Sequence, residues 1–349
     1  MNDEPHDPAN QSHRHRALRY VGWAAGVVVG LVVLLVAAVA LAAAVIPKPA
    51  LPSKPNPATS YADAVARIDK LKALDTAEIG WGTEAYLQGS KVATAVVLFH
   101  GYTNNPAQFS AVGKAYADAG YNVIIPRIPG HGYEQLVNKE LSQLDAERLA
   151  AVTDQAVDIA AGLGDRVEVA GLSGGGTMAS WAAYNRDEVK SVVAMSPFFE
   201  PLTLPDWLVR PITQVTRITP DVYMWWDPRV KARRLVPPDA YPRYSLRSLS
   251  AVLELGYWMD DNPPGRKTKL DRALFISNAS DRSVNEGLGY HVFETKIGPI
   301  SRKLEFYEFA RKLGYAHDLI DPNGENAKNI EAIHAELYPL LGLTPSALQ

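Results

Sequence analysis

The chain has 349 residues, a formal charge of −3 and 47% hydrophobic residues. That balance supplies a globular core, and the near-neutral charge disfavours nucleic acid as a main partner, because phosphate binding needs a concentrated basic face. Cysteine is absent, which excludes disulfides, thiolate metal sites and a cysteine nucleophile.

Residues 1–19 form a flank whose basic residues include Arg14, Arg16 and Arg19. Tyr20 to Ile46 then carries no charged residue and is mostly Val, Ala, Leu and Gly. A membrane-spanning helix needs about 20 such residues, so residues 20–46 are predicted to be a single-pass anchor. A cleaved signal peptide is the competing reading. Ala42, Ala43 and Ala44 would supply its cleavage site, but its apolar core is shorter, about 7–15 residues. A buried soluble helix would show a polar face. The arginines on the N-terminal side, against Lys48 and Lys54 on the other, predict a cytoplasmic N-terminus and an exported catalytic domain. Residues 47–60 are Pro-rich and read as a stiff, extended linker.

From residue 61 to 349 the pattern is that of one domain. Tyr61 to Leu74 has helical spacing. Strands are predicted at Ala93–Phe99, Tyr121–Ile125, Arg166–Ala170, Ser191–Met195, Ala273–Ser277 and Leu304–Phe309, several of them continuous apolar runs suited to burial on both faces. Helical patterns fall between them, at Ala107–Ala119, Asp145–Ala161 and Gly175–Tyr184. This alternation predicts an α/β domain with a mostly parallel sheet flanked by helices. Residues 200–271 break the alternation and show no clear strand. They hold Trp207, Trp225, Trp226 and Trp258 together with Pro201, Pro205, Pro211, Pro220, Pro228, Pro237, Pro238 and Pro242. A long irregular insertion in a compact domain reads as a functional cap or lid; the alternative is a helical elaboration that packs only for stability.

The strongest chemical signal is Gly171-Leu172-Ser173-Gly174-Gly175, between a predicted strand and a predicted helix. That is the context of a nucleophile elbow, a strained turn whose neighbours must be small. A serine hydroxyl needs a base to take its proton. His317, in the loop after the last strand, is placed to serve. His291 and His334 lie in helical patterns, and His100, at a strand end, is expected to brace its loop. The imidazole in turn needs a carboxylate. Asp281, in the loop after Ala273–Ser277, gives the chain order Ser…Asp…His; the plain alternative is a turn residue. Asp318 and Asp321 are nearer in sequence, but such neighbours seldom face the ring. An oxyanion needs preorganised N–H donors, assigned to the backbones of Gly174 and Tyr102.

Leu98-Phe99-His100-Gly101-Tyr102, Pro126-Arg127-Ile128-Pro129-Gly130-His131-Gly132 and Gly171-Leu172-Ser173-Gly174-Gly175 together resemble the α/β-hydrolase superfamily, most closely its bacterial carboxylesterase and monoacylglycerol-lipase-like branch. The likeness covers roughly residues 93–340. It implies an α/β-hydrolase fold, a Ser173–Asp281–His317 triad, Tyr102 and Gly174 as oxyanion donors, and the Pro-Gly-His-Gly turn at the site mouth. The expected chemistry is carboxylic ester hydrolysis through an acyl-enzyme, requiring no metal or organic cofactor, on a small-molecule ester or lipid-like substrate. An acyltransferase, thioesterase or peptidase would use the same triad, and a non-catalytic membrane-tethered binding protein would share the fold.

Overall fold

A computed structural model describes residues 8–343 except 203, 205, 230 and 232–236, with no side-chain description for 8–18 and 206. Pro205 of the cap, the first seven residues of the basic flank and the last six of the domain therefore lie outside the described residues.

The chain opens with α1 (Pro8–Val45) and α2 (Tyr61–Lys72), then β1 (Glu84–Tyr86), β2 (Val92–Phe99), α3 (Ser110–Asp118), β3 (Asn122–Ile125), α4 (Ala146–Leu163), β4 (Gly164–Leu172), α5 (Gly174–Asn185) and β5 (Val189–Met195). The insertion follows with α6 (Asp206–Thr216), β6 (Tyr223–Trp225), β7 (Arg243–Ser245) and α7 (Leu246–Asp261). The body resumes with β8 (Arg272–Asn278), α8 (Glu286–Val292), β9 (Leu304–Phe309) and α9 (Ile330–Leu340).

The strands form a 7-stranded sheet in the order β1-β3-β2-β4-β5-β8-β9. Every pairing is parallel except β1 with β3. Side chains alternate across the sheet. Ala95, Val97 and Phe99 of β2 therefore join one core with α2, α4, α5 and part of α7. Val96 and Leu98 join the other with α3 and α9. Both faces being covered explains why the central strands read as unbroken apolar runs.

Each of the six expected strands is present, with ends within two residues of the expected ones. Two departures have physical reasons. Residues 200–271 do contain strands: β6 and β7 pair as a short antiparallel ribbon, Tyr223 opposite Ser245 and Trp225 opposite Arg243. At three residues each they are too short to show periodicity. The Pro-rich residues 47–60 form neither helix nor strand, and part of this stretch is packed on the body. Leu51 is buried, and the Ser53 hydroxyl and Lys54 N–H donate to the Asp154 carboxylate at 2.5 and 2.6 Å. Asn56 and Ala58 donate to the Asp158 side chain and carbonyl, both at 2.9 Å. Asp154 and Asp158 are in turn held by the fully buried Arg186, at 2.9 and 2.5 Å, with Glu188 as its third carboxylate at 3.1 Å.

Candidate active site

Ser173 follows β4 at the carboxyl rim of the sheet, the edge where open α/β sheets bind ligands, and caps the start of α5 with φ +56° and ψ −121°. A non-glycine residue held there costs roughly 1–3 kcal/mol. The flanking glycines explain how the turn is tolerated. A Cβ on Gly171 would stand 2.2 Å from the Gly175 carbonyl oxygen, and one on Gly175 would stand 2.0 Å from that of Phe99. Only hydrogen fits in either place. The turn is tied to the next loops by Ser173 N–H to the Met195 carbonyl at 2.9 Å and Phe198 N–H to the Ser173 carbonyl at 3.0 Å.

The backbones of Gly174 and Tyr102 come close beside the serine. A Cβ on Gly174 would touch Tyr102 Cβ at 3.1 Å and the Tyr102 nitrogen at 3.4 Å. Gly174 is the first residue of α5, so its N–H has no intrahelical acceptor. Tyr102 is positioned by a dense set of bonds around its loop. Thr103 takes a left-handed φ of +67°, and its N–H donates to His131 Nε2 at 3.2 Å. Ile128 N–H donates to His100 Nε2, also at 3.2 Å. Each ring therefore carries its proton on Nδ1, which donates to Gly101 O at 3.0 Å and to Pro129 O at 3.2 Å respectively. Burial pushes both imidazoles down, His131 to about 4, so they stay neutral as braces. This is the structural duty of the Pro-Gly-His-Gly turn and of His100.

The cap grips the same loop. The Tyr102 hydroxyl donates to the Ser245 carbonyl at 2.9 Å and lies 2.5 Å from the Ser248 hydroxyl. Trp226 Nε1 donates to the Thr103 hydroxyl at 3.0 Å, and Tyr241 N–H to the Thr103 carbonyl at 2.8 Å. Asn105 reaches the Asp239 carbonyl and carboxylate at 3.2 and 3.1 Å.

Asp281 and His317 arrive on the loops after β8 and β9. His317 Nδ1 lies 2.5 Å from Asp281 Oδ2, with the carboxylate fully buried and the ring partly exposed. Burial alone would push Asp281 up and His317 down. Their mutual hydrogen bond and charge outweigh it, so Asp281 lies below and His317 above its ordinary range. The sequence neighbours are engaged elsewhere. Asp318 accepts from Gln108 Nε2 at 2.7 Å and from two backbone N–H groups. Asp321 accepts from Asn323 N–H at 2.8 Å. His334 is bonded to the Ile320 carbonyl and Tyr338 at 3.1 Å each, and His291 is exposed on α8. Among the described residues, no hydrogen bond spans the Ser173 hydroxyl and the His317 ring. Such contacts often tighten only when substrate binds.

Four supporting residues were not visible in the sequence. Asn278 Nδ2 donates to the Tyr315 and Ala316 carbonyls at 3.0 Å each, and Asn326 clamps the backbone of Ala316 and Asp318 at 2.6–3.0 Å. Together they fix the loop that carries His317. Glu286 accepts from the Ser196 hydroxyl at 3.0 Å and Asn278 N–H at 2.8 Å. Burial, reinforced by the Asp281 charge, pushes its carboxyl up to about 7. Ser196 and Asn278 stand at the carboxyl ends of β5 and β8, and that position was the signal available. Among the described residues, no group of three or more His, Asp or Glu side chains could hold a metal ion.

A strained serine elbow at the carboxyl rim of a parallel sheet, with an acid and a histidine on later strand loops, defines an α/β-hydrolase architecture. The chain belongs to the alpha/beta hydrolase family, whose model matches residues 96–308. A stretch of 109 residues is 32% identical to the thermostable monoacylglycerol lipase of Bacillus sp. (strain H-257), covering 29% of this chain and 39% of that enzyme. The chain thus spans well under half the length of that curated relative. The fold is similar to that of the Paleococcus ferrophilus monoacylglycerol lipase, with TM-score 0.54 and 20% identity over 75% of this chain and 98% of that one. It is also similar to a soluble variant of the Saccharomyces cerevisiae monoglyceride lipase, with TM-score 0.55 and 13% identity over 74% and 90%. At such identities the likeness is one of fold.

Proposed function

We propose that this protein is a membrane-anchored serine hydrolase that cleaves carboxylic esters through an acyl-enzyme. The observation that carries this reading is the Asp281–His317 pair at 2.5 Å on the same sheet rim as the Ser173 elbow. The Ser173 hydroxyl attacks the ester carbonyl while His317 Nε2 takes its proton. Asp281 holds the ring with Nδ1–H inward and stabilises the imidazolium. The N–H groups of Gly174 and Tyr102 receive the oxyanion. The tetrahedral adduct collapses as His317 returns the proton to the leaving alcohol. Water then enters, gives its proton to His317 and attacks the acyl-enzyme. The acid leaves as Ser173 recovers its proton.

The substrate class follows from what surrounds the site. The cap is rich in Trp and Tyr, and the apolar helix Arg19–Val45 is long enough to cross a bilayer. Both favour an acyl or lipid-like ester, and Arg14, Arg16 and Arg19 before the helix against Lys48 and Lys54 after it favour a catalytic domain on the exported side. The relatives named as monoacylglycerol lipases point the same way. A panel of monoacylglycerols and simple esters of graded acyl length, presented in mixed micelles, tests this. Rates rising with acyl length are expected. Preference for short, polar acyl groups would sink the lipid-like class, and no turnover of any ester would sink the hydrolase reading.

A further inference from the structure

Apolar surface is unevenly spread over this molecule. Outside α1, eleven large apolar side chains are exposed among the described residues, and seven of them fall between residues 202 and 226. Within that stretch Trp207 and Ile218 are the most open, at 65% and 68%. Leu202, Leu204 and Val222 belong to the same stretch of the cap. Monomeric proteins rarely gather exposed apolar groups in this way unless something covers them.

The position of α1 says what the cover is. α1 packs on α6 of the cap, and Val36, Val39, Ala42, Ala43 and Ile46 are half-buried along one side of its last three turns. The junction is fixed. Lys48 pairs with Asp261 at 2.7 Å, and Arg210 joins Asp261 and Asp260 at 2.8 and 2.9 Å. Arg217 donates to the Pro47 carbonyl, and Ile218 lines the same cleft as Ile46 and Pro47.

Helix length then fixes depth. Arg19–Val45 has 27 residues, about 40 Å at 1.5 Å per residue, whereas the hydrocarbon core is about 30 Å thick. If Tyr20 and Trp23 mark one interface, as aromatic residues do, the core ends near residue 40. The half-buried side of α1 begins at Val36. The cap next to α1 therefore cannot stand clear of the bilayer.

We propose that the face of the cap beside α1, carrying Leu204, Trp207 and Ile218, is a bilayer-docking surface lying in the interfacial layer of the membrane that α1 crosses. The surface rests on the reading of α1 as a membrane anchor. Its chemistry suits that layer: Trp and aliphatic groups on the open side, with Lys48 and Arg210 at headgroup level. The cap, which also grips the Tyr102 loop, is then the part of the enzyme that meets lipid first.

The absence of cysteine makes the test direct. Single Trp207→Cys, Ile218→Cys, Val33→Cys and Ala335→Cys variants of the full chain carry a nitroxide label in phosphatidylcholine–phosphatidylglycerol proteoliposomes. Collision with oxygen and with a neutral nickel chelate reports depth. Labels at positions 207 and 218 are expected to show an oxygen-to-nickel ratio severalfold above that at position 335 on α9, whatever the protein-to-lipid ratio. A lipid-buried label at position 33 with aqueous labels at 207 and 218 would overturn the docking surface and leave the anchor standing. An aqueous label at 33 would overturn both. Protection at 207 and 218 that vanishes on dilution with lipid would assign the patch to a second copy of this chain and overturn the proposal.

Discussion

The sheet rim and the cap meet at the Tyr102 loop, and they are built on opposite principles. On the rim, Ser173 and Asp281 follow strands buried on both faces, His317 follows the edge strand β9, and the His317 loop is clamped by Asn278 and Asn326. The cap is a short ribbon and two helices whose outward side keeps Trp207, Ile218 and Met224 exposed. On the proposed function, the rim fixes where bonds break and the cap sets what reaches them. Changes on the rim should therefore act on kcat with substrate preference unchanged, and changes in the cap should do the reverse.

Replacing the proposed nucleophile gives the largest effect: Ser173→Ala is expected to lower kcat by about 10⁴-fold or more in steady-state ester hydrolysis. Residual activity within tenfold of wild type would place the chemistry elsewhere. Next comes Asp281→Asn, with an expected loss of about 10³–10⁴-fold and a second signature in the pH profile. His317 must be neutral to accept a proton. Its pKa lies above the ordinary 6.5 because Asp281 outweighs the effect of burial. Wild-type kcat/KM should thus be low in acid and rise through an inflection above 6.5; the Asn variant should move that inflection down. An unmoved inflection would detach Asp281 from His317.

How much of this was legible follows from the same contrast. The central strands were readable because burial on both faces leaves an unbroken apolar run. Ser173 was readable because Gly171 and Gly175 have no room for a side chain, and Asp281 because its loop follows a strand. β1 was not: Glu84-Ala85-Tyr86 is a three-residue edge strand with no period to detect. β6 and β7 are seventeen residues apart and pair only through the tertiary fold. The Pro-rich residues 47–60 form neither helix nor strand, and nothing local reveals that Asp154 and Asp158 wait about a hundred residues away. Asn326 and Glu286 act only through convergence in space, which no local pattern carries.

The smaller effects sharpen the comparison. Arg186→Met strands three carboxylates behind the sheet and should destabilise the fold by about 3–5 kcal/mol, read as a lower denaturant midpoint with the slope unchanged. The folded fraction should keep its kcat and its acyl preference; a shift in preference would mean that the packing of residues 47–60 on Asp154 and Asp158 reaches the site. Tyr102→Phe removes the hydroxyl bonds to Ser245 and Ser248 that couple the cap to the Tyr102 loop. A kcat loss of at most about tenfold is expected. Trp226→Ala, which loses the bond to Thr103 and the contact with Tyr244 at 4.2 Å, should raise KM for long acyl esters a few-fold and spare kcat. A fall in kcat alone would show that the cap takes part in the bond-breaking step.

The most direct measurement is the intact mass of the full chain after reaction with a fluorophosphonate, for the wild type and the Ser173→Ala variant side by side. One phosphonyl adduct on the wild type, mapped to the peptide containing Ser173, and none on the variant is the expected result. An unmodified wild type, or a variant that labels as readily, would contradict a Ser173 nucleophile activated by His317.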